Sequence, residues 1–544
     1  MGFWVQLIQF LELKNSKLPG KHFQDTNIMS SISRITLLTL ACSCVSTVAF
    51  ADEAATRPNI IFIMADDHAS HAMSCYGSRI NKTPNLDRIA NEGVKFVNAF
   101  CTNSICSPCR AVVFTGKYSH VNGVLDNRDV FDGSQPTFPS ILKAAGYETA
   151  MIGKWHLHSD PVGFDYWKIL PGQGKYHDPD FIEMGKRFTQ PGYVTDIIGE
   201  DTINWIRNRK SGKPFCLISH HKAPHRRWQP HERHKKMFAG KEFPEPETFG
   251  DDYKTRGTAA HEQEMTVEHD LDETDLKMDP PDGLTGEALK KWKYNRYMQD
   301  YLGCIAAIDE NVGQMLDYLD ESGLSKNTIV IYTSDQGFFL GDHGWYDKRF
   351  MYEAAFRMPL IARFPKEIKP ATEVEEMVLN LDIAPTLLDI AGIKIPAEIQ
   401  GKSFRSVMKG EPDKDWRTSA YYHYYEYPAW HMVKRHYGVR TERYKLIHFY
   451  FDIDEWELYD LKTDPHELNN IYEDPARQDL IKELKAELKR LQKQYGDSDE
   501  LAQEILKKDL ENEAIRKRVR KKAEEREAKQ KQATKDKTEP TEKK

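Results

Sequence analysis

Cysteine is scarce in this 544-residue chain: there are eight, of which Cys75, Cys101, Cys106, Cys109, Cys216 and Cys304 lie beyond residue 51. So few thiols in so long a chain exclude a disulfide scaffold standing in for a core. An excess of positive charge is also missing. Lys and Arg number 76 against 83 Asp and Glu, a formal net charge of −7, which removes the electrostatic footprint of a nucleic-acid binder. Long apolar runs are absent after the N-terminus, so no later segment is expected to span a bilayer. With 40% hydrophobic residues the chain can bury a large core, and a soluble, enzyme-sized protein is the expectation.

The one apolar run, residues 35–50, reads as a signal sequence. Starting at Met29, a short n-region carries Arg34, the apolar stretch follows, and Ala49-Phe50-Ala51 offers small residues for cleavage, so the mature chain begins near Asp52. Residues 1–28 do not fit that pattern, which favours Met29 as the start over a long leader or a retained anchor. Cys42 follows Leu40-Ala41, but the apolar run continues past it, which a lipoprotein signal does not need. The expectation is export, periplasmic or secreted, in preference to lipid anchoring.

Residues 59–65 form a continuous apolar run closed by Asp66-Asp67, the pattern of a strand buried on both faces. Residues 328–334 repeat it and end in Asp335-Gln336. Two more strand-like runs, 148–152 and 215–219, end near Lys154/His156 and near His220/His221/His225. Helical spacing fills the intervals at 84–93, 139–146 and 300–323, each closed by glycine. Such alternation predicts an α/β fold in which polar residues at several strand ends meet in one cleft. Residues 243–286, rich in Asp, Glu, Pro and Gly, read as a surface insertion. After about 410 come short aromatic and β-branched runs and then a helix over about 475–494, the pattern of a small antiparallel sheet with a packed helix. The domain expectation is a leader to residue 51, a catalytic domain over 52–410, a C-terminal subdomain over 411–497, and a charged tail over 498–544, helical at its start and solvated at its end.

Cys106-Ser107-Pro108-Cys109-Arg110 opens an apolar segment, with Pro108 placed for the first turn of a helix. That puts Cys106 at a helix N-terminus, a position suited to a thiolate of lowered pKa or to a group that binds an anion. Asp66, Asp67, Asp335 and Gln336 are all hard oxygen donors, which suits Ca²⁺ or Mg²⁺ and argues against zinc.

Cys-x-Pro-x-Arg followed by Thr115-Gly116 resembles the signature of the sulfatase family. Further pieces in the family's order extend the resemblance over about 57–495: Asp66-Asp67, Gly153-Lys154-Trp155-His156, Ala223-Pro224-His225, Ser334-Asp335-Gln336-Gly337, and Gly341-Asp342-His343-Gly344 leading to Lys348. The resemblance implies an alkaline-phosphatase-like fold, a large mixed central sheet flanked by helices with a smaller C-terminal antiparallel sheet. It implies oxidation of Cys106 to formylglycine by a formylglycine-generating maturation enzyme, and Ca²⁺ ahead of Mg²⁺ held by Asp66, Asp67, Asp335, Gln336 and the matured residue 106. It also implies roles: a hydroxyl of the hydrated aldehyde attacks sulfur, Arg110, Lys154 and Lys348 hold the sulfate oxygens, His225 protonates the leaving alcohol, and His156 takes the proton when sulfate is expelled. Gln336 stands where asparagine is usual, a longer arm on the same amide oxygen. Cys109 stands where serine is usual, a thiol that would compete for oxidation or pair with Cys101, and is expected to be tolerated.

The region 426–441 is similar to the C-terminal part of bacterial carbohydrate sulfatases of the N-acetylglucosamine-6-sulfatase type. The substrate this implies is a sulfated carbohydrate, a polysaccharide or glycosaminoglycan fragment such as one bearing 6-O-sulfated N-acetylglucosamine. His431, Arg435 and His436 are the candidate sugar contacts there, joined by Asn127, Arg128, Gln173 and His343 from loops near the motifs. Two rival readings stand beside this one: a phosphate or phosphonate ester hydrolase of the same superfamily, and a catalytically inactive glycan-binding relative.

Overall fold

A computed structural model describes residues 57–210 and 212–512, with 514, 515, 517, 518 and 521 beyond them. The leader, the signal run and most of the far tail lie outside the described residues. The central sheet has ten strands in the order Thr372–Val374, Val94–Phe96, Leu360–Arg363, Thr328–Ser334, Asn59–Ala65, Phe215–His220, Glu148–Lys154, Tyr166–Leu170, Asp180–Glu183 and Lys186–Thr189. The strands from Thr328–Ser334 to Tyr166–Leu170 run parallel, and antiparallel pairs close the sheet toward both edges, so it is mixed as expected. The middle strands are apolar without alternation because helices cover both faces; residues 60–65 are all buried.

Register decides where the polar residues go. Ala65 pairs with Ser334, Met64 with His220, and Gly153 with His220. Four strands therefore end level with one another, and the residues after each end (Asp66, Asp335, His221 and Lys154's successors) emerge at one edge. The Asp66 amide donates to the Ala223 carbonyl at 3.1 Å and the Asp335 amide to the Ala65 carbonyl at 3.2 Å, which ties these turns together.

The helix Gly286–Glu321 is far longer than the apolar spacing predicts. Its 36 residues run roughly 54 Å. Its first turns carry Lys290, Lys293 and Arg296 among the apolar positions, yet Lys290 is buried with its ammonium on the Phe249 carbonyl at 2.9 Å. The supposed surface insertion is the partner of that stretch: Phe243, Phe249, Met265, Val267 and Leu271 are buried, and two short helices lie within it.

The C-terminal sheet is the expected antiparallel one, Ser419–Tyr424, His436–Thr441, Tyr444–Phe449 and Glu455–Asp460 in chain order, with the helix Gln478–Tyr495 packed on it. It is stitched to the catalytic half through Tyr422, whose hydroxyl donates to the Arg349 carbonyl at 2.6 Å and accepts from the Ser104 amide at 3.1 Å. The charged segment begins with a helix, Asp499–Glu511, that buries Ala502, Ile505 and Leu506.

Gly153 sits at φ +102°, and a Cβ there would lie 2.0 Å from the His220 carbonyl oxygen of the neighbouring strand. Gly153→Ala is expected to cost about 3 kcal/mol by pushing backbone apart beside Lys154. An unchanged midpoint of thermal unfolding would contradict this account of the strand register.

Candidate active site

Cys106 is the first residue of the helix Cys106–Thr115, whose every residue is buried. The Ser107 amide, one of the helix's orphan donors, is met by the Asn127 side-chain oxygen at 3.0 Å. The remaining first-turn amides and the helix dipole favour negative charge beside Cys106. The thiol itself is pushed above its ordinary value, by burial first and by Asp66 second, so Cys106 as a free thiol is a poor nucleophile here.

Around it three carboxylates and three cations interleave. Lys154 pairs with Asp66, and its ammonium also reaches the Gln173 side-chain oxygen at 2.5 Å. Lys348 donates to both oxygens of Asp67 at 2.7 and 2.6 Å. Arg110 lies 3.1 Å from Asp335 and 3.5 Å from Asp66, and its second amino group donates to the Lys154 carbonyl at 2.8 Å. All six side chains are buried. Crowded carboxylates in a dry space resist ionising together. Burial and then Asp66 push Asp335 up to about 8, and burial, opposed by Lys348 and reinforced by Asp66, pushes Asp67 up to about 6. Asp66 alone is held well below the usual carboxylate range, because Lys154, His225 and Arg110 together outweigh its burial.

The donor set fits a hard divalent cation. Asp66, Asp67, Cys106 and Asp335 each place a ligand atom within 4.8 Å of the others. The Gln336 amide donates from Nε2 to Asp67, which leaves its buried Oε1 without a hydrogen-bond partner, and Asp66 Oδ1 likewise accepts none. Apart from the Cys106 sulfur these donors are all oxygen, a set that suits Ca²⁺ or Mg²⁺.

A cleft of about 470 Å³ opens above Cys106, lined among others by Asn127, Gln173, Lys222, His225, Asp347, Lys348, Arg349, Trp430 and His431. His225 Nε2 lies 3.9 Å from Asp67, and the Tyr176 hydroxyl donates to the His225 carbonyl at 2.7 Å. His156, at φ +54°, places Nδ1 3.2 Å from the Ser107 hydroxyl. Burial lowers the pKa of both histidines; the neighbouring Lys154 lowers His156 further, whereas Asp66 opposes the shift at His225. Both imidazoles are thus biased toward the neutral form.

Cys109 is buried, a free thiol like Cys101, and donates to the Asp335 carbonyl while accepting from Asn380 at 3.1 Å. The serine-to-cysteine departure thus keeps a hydrogen-bonding role under the cluster.

Of the expected sugar contacts, Asn127, Gln173 and His431 line the cleft, and four others do not. Arg128 is exposed and folded back onto Asp126. His343 is buried among Phe339, Trp345 and Tyr352, its Nδ1 2.8 Å from Asp251. Arg435 is fully buried, donating to the Tyr427 carbonyl at 3.1 Å and pairing with Asp509 of the last described helix. His436 accepts from the Met351 amide at 3.1 Å and stacks on Tyr422. His343, Arg435 and His436 are turned into the core and Arg128 is folded onto Asp126 at the surface, directions that local composition does not encode.

Lys222, Asp347 and Arg349 went unpredicted. Asp347 and Arg349 flank Lys348, and Lys222 stands three residues before His225, so motif proximity was the available signal. Lys222 has a buried ammonium over the Tyr176 ring at 4.8 Å, with a pKa drawn down to about 8 by burial and by Lys154. Asp347 reaches His431 Nε2 at 3.1 Å, and Arg349 pairs with Glu426.

Arg435→Ala separates the structural role from the expected sugar contact. It should lower stability by about 2 kcal/mol through the pair with Asp509, itself partly solvated, while KM stays unchanged. A raised KM at unchanged thermal midpoint would return Arg435 to the substrate.

Residues 58–393 match the family model described as Sulfatase, and residues 341–494 match "N-sulphoglucosamine sulphohydrolase, C-terminal". An N-acetylglucosamine-6-O-sulfatase of Bacteroides thetaiotaomicron is 50% identical over 519 residues, covering 87% of this chain and 93% of that protein. A solved structure of a complex with its substrate D-glucosamine-2-N,6-O-disulfate superposes with a TM-score of 0.80 at 51% identity, covering 81% of this chain and 99% of that one. A phosphonate monoester hydrolase of Agrobacterium radiobacter superposes with a TM-score of 0.64 over 81% of this chain and 96% of its own; at 22% identity that likeness carries the fold alone. The match over most of the chain, and the buried cluster that its motifs build around Cys106, make this protein a member of the sulfatase family.

Proposed function

We propose that this protein hydrolyses sulfate esters on carbohydrate, acting on the 6-O-sulfate of a glucosamine-type residue, with Cys106 oxidised to formylglycine by a maturation enzyme and with Ca²⁺ in the oxygen site. The observation that carries the reading is the interleaved cluster of Asp66, Asp67, Asp335, Arg110, Lys154 and Lys348 around a buried Cys106 at the base of an open cleft. The named activity of the half-identical Bacteroides relative and the ligand of the solved complex support the choice of sugar.

The residues divide the work as charge requires. Formylglycine, once formed and hydrated, supplies a hydroxyl nucleophile at a position where the thiol is suppressed, and a bound divalent ion supplies positive charge beside Asp66, Asp67, Asp335 and Gln336. Arg110, Lys154 and Lys348 already lie buried at the cluster, so their positive charge meets sulfate oxygens in a preorganised site rather than in water. His225 lines the cleft and faces the departing oxygen; the anion that enters supplies the charge which lets it carry a proton there. His156, positioned by Ser107 beside residue 106, takes a proton from that residue when sulfate leaves. Asn127, Gln173 and His431, which line the cleft, offer amide and imidazole groups to the sugar, and Asp347 and Arg349 add a charged pair. Sulfur transfer asks little covalent work of the protein beyond this positioning.

Export to the periplasm or beyond is part of the proposal and rests on the apolar run at 35–50. Among the described residues no helix is long and apolar enough to cross a membrane.

Mass spectrometry of the peptide spanning residue 106, from protein made in its native host, should show formylglycine, and Cys106→Ala should lower sulfate release from 6-sulfated N-acetylglucosamine at least about a thousandfold. Active protein with unmodified Cys106 would overturn the mechanism, and release of phosphate alone would favour the phosphoester reading. Chelation with EDTA should abolish turnover, with Ca²⁺ restoring it more fully than Mg²⁺ at equal concentration. Full activity after exhaustive chelation would remove the metal from the account.

A further inference from the structure

We infer that a second cleft beside the active site, entered across Trp430, binds the next sugar of the substrate and selects one that carries a negative charge. This rests on the sulfatase reading above and extends it from the sulfated residue to its neighbour.

The second cleft has a volume of about 340 Å³, and its wall includes Trp430, His431, Met432, Glu264, Arg518 and Lys521. Trp430 and His431 also line the cleft over Cys106, so the two spaces meet at these residues. Trp430 is 71% exposed, whereas Trp228 and Trp345 are fully buried. A large aromatic face left to water at the junction of two clefts is costly unless something covers it.

The lip that carries Trp430 is held firmly. His431 adopts φ +65°, its Nδ1 lies 2.5 Å from the Glu264 carbonyl, and its Nε2 lies 3.1 Å from Asp347 in the active cleft. The Glu264 amide in turn donates to the His431 carbonyl at 2.7 Å. The backbone next to Trp430 is thus set by contacts of His431 that reach the active cleft.

An aromatic face beside a guanidinium recognises a sugar ring that bears a carboxylate or sulfate: the ring's C–H face lies on the indole, and the anion meets Arg518 in a forked pair. Arg518 and Lys521 lie beyond residue 494, where the match to the C-terminal family model stops, so these cations come from the charged extension. The helix Asp499–Glu511 precedes them in the chain and is tied down by the pair of buried Arg435 with partly solvated Asp509. The extension thereby gains a task beyond solubility.

The test compares kcat/KM on a 6-sulfated glucosamine monosaccharide with that on disaccharides in which the same residue is linked to an anionic sugar or to its carboxyl-reduced, neutral form. The full-length, matured enzyme should favour both disaccharides over the monosaccharide by about tenfold through the Trp430 face, one aromatic contact's worth, and the anionic one by a further factor through Arg518. Trp430→Ala should erase that ratio for both disaccharides. Arg518→Ala should erase only the difference between anionic and neutral forms, and that difference should shrink with added salt. A ratio near one in the unaltered enzyme, or ratios untouched by both substitutions, would overturn the inference. If no sugar releases sulfate, the function proposed above has failed instead, and the second cleft is then judged by binding. Tryptophan fluorescence should change on titration with the unsulfated anionic disaccharide in the unaltered protein and not in Trp430→Ala, and equal responses would overturn it.

Discussion

Three carboxylates and three cations share a space closed to water at the end of the central sheet, and neither set would be tolerable without the other. An unpaired charge buried there costs several kcal/mol, and removing one partner leaves its neighbour uncompensated. The interleaving of Asp66 with Lys154, Asp67 with Lys348 and Asp335 with Arg110 therefore constrains every element that delivers one of these residues. The same interleaving suits the chemistry. Carboxylates that resist ionising together are ready for a divalent ion, and cations already dehydrated are ready for sulfate oxygens.

The outer parts of the fold serve that centre by holding loops in place. The hairpin of Phe339–Leu340 and Tyr346–Asp347 delivers Asp347, Lys348 and Arg349 in sequence. Tyr422 and His436 of the C-terminal sheet fasten the same loop from behind, through the Arg349 carbonyl and the Met351 amide. The long helix and the segment before it pack together and fix His343 against Asp251 under this hairpin. Residues with the chemistry of ligand contacts thus work as struts, and the sheet that carries them is part of the active site's support.

Much of this was legible from local pattern. Apolar runs closed by Asp66-Asp67 and Asp335-Gln336, the helix begun at Cys106, and the four C-terminal strands all follow from periodicity that each segment carries within itself. The start of the helix Gly286–Glu321 was not legible, because its lysines and arginine break the apolar count; Lys290 and Arg296 donate to carbonyls of the segment packed against it, and Arg296 also pairs with Asp300 within the helix. Arg435 and His436 read as polar, sugar-facing residues for the same reason: composition shows what a side chain can do, and the packing of the strand His436–Thr441 and the loop before it decides whether it meets ligand or core.

The sequence by itself determined the chemistry available: a cysteine at a helix N-terminus, oxygen donors for a hard cation, and lysines, arginine and histidines for an anion. Local order along the chain suffices for that, since each motif spans only a few residues. Tertiary structure alone decided which of these groups meet. Asp67 and Lys348 are 281 positions apart and share a hydrogen bond only because strand register and the hairpin bring them level. It alone also decided that Trp430 stands in the open between two clefts, since exposure is a property of what packs around a residue and not of the residue itself.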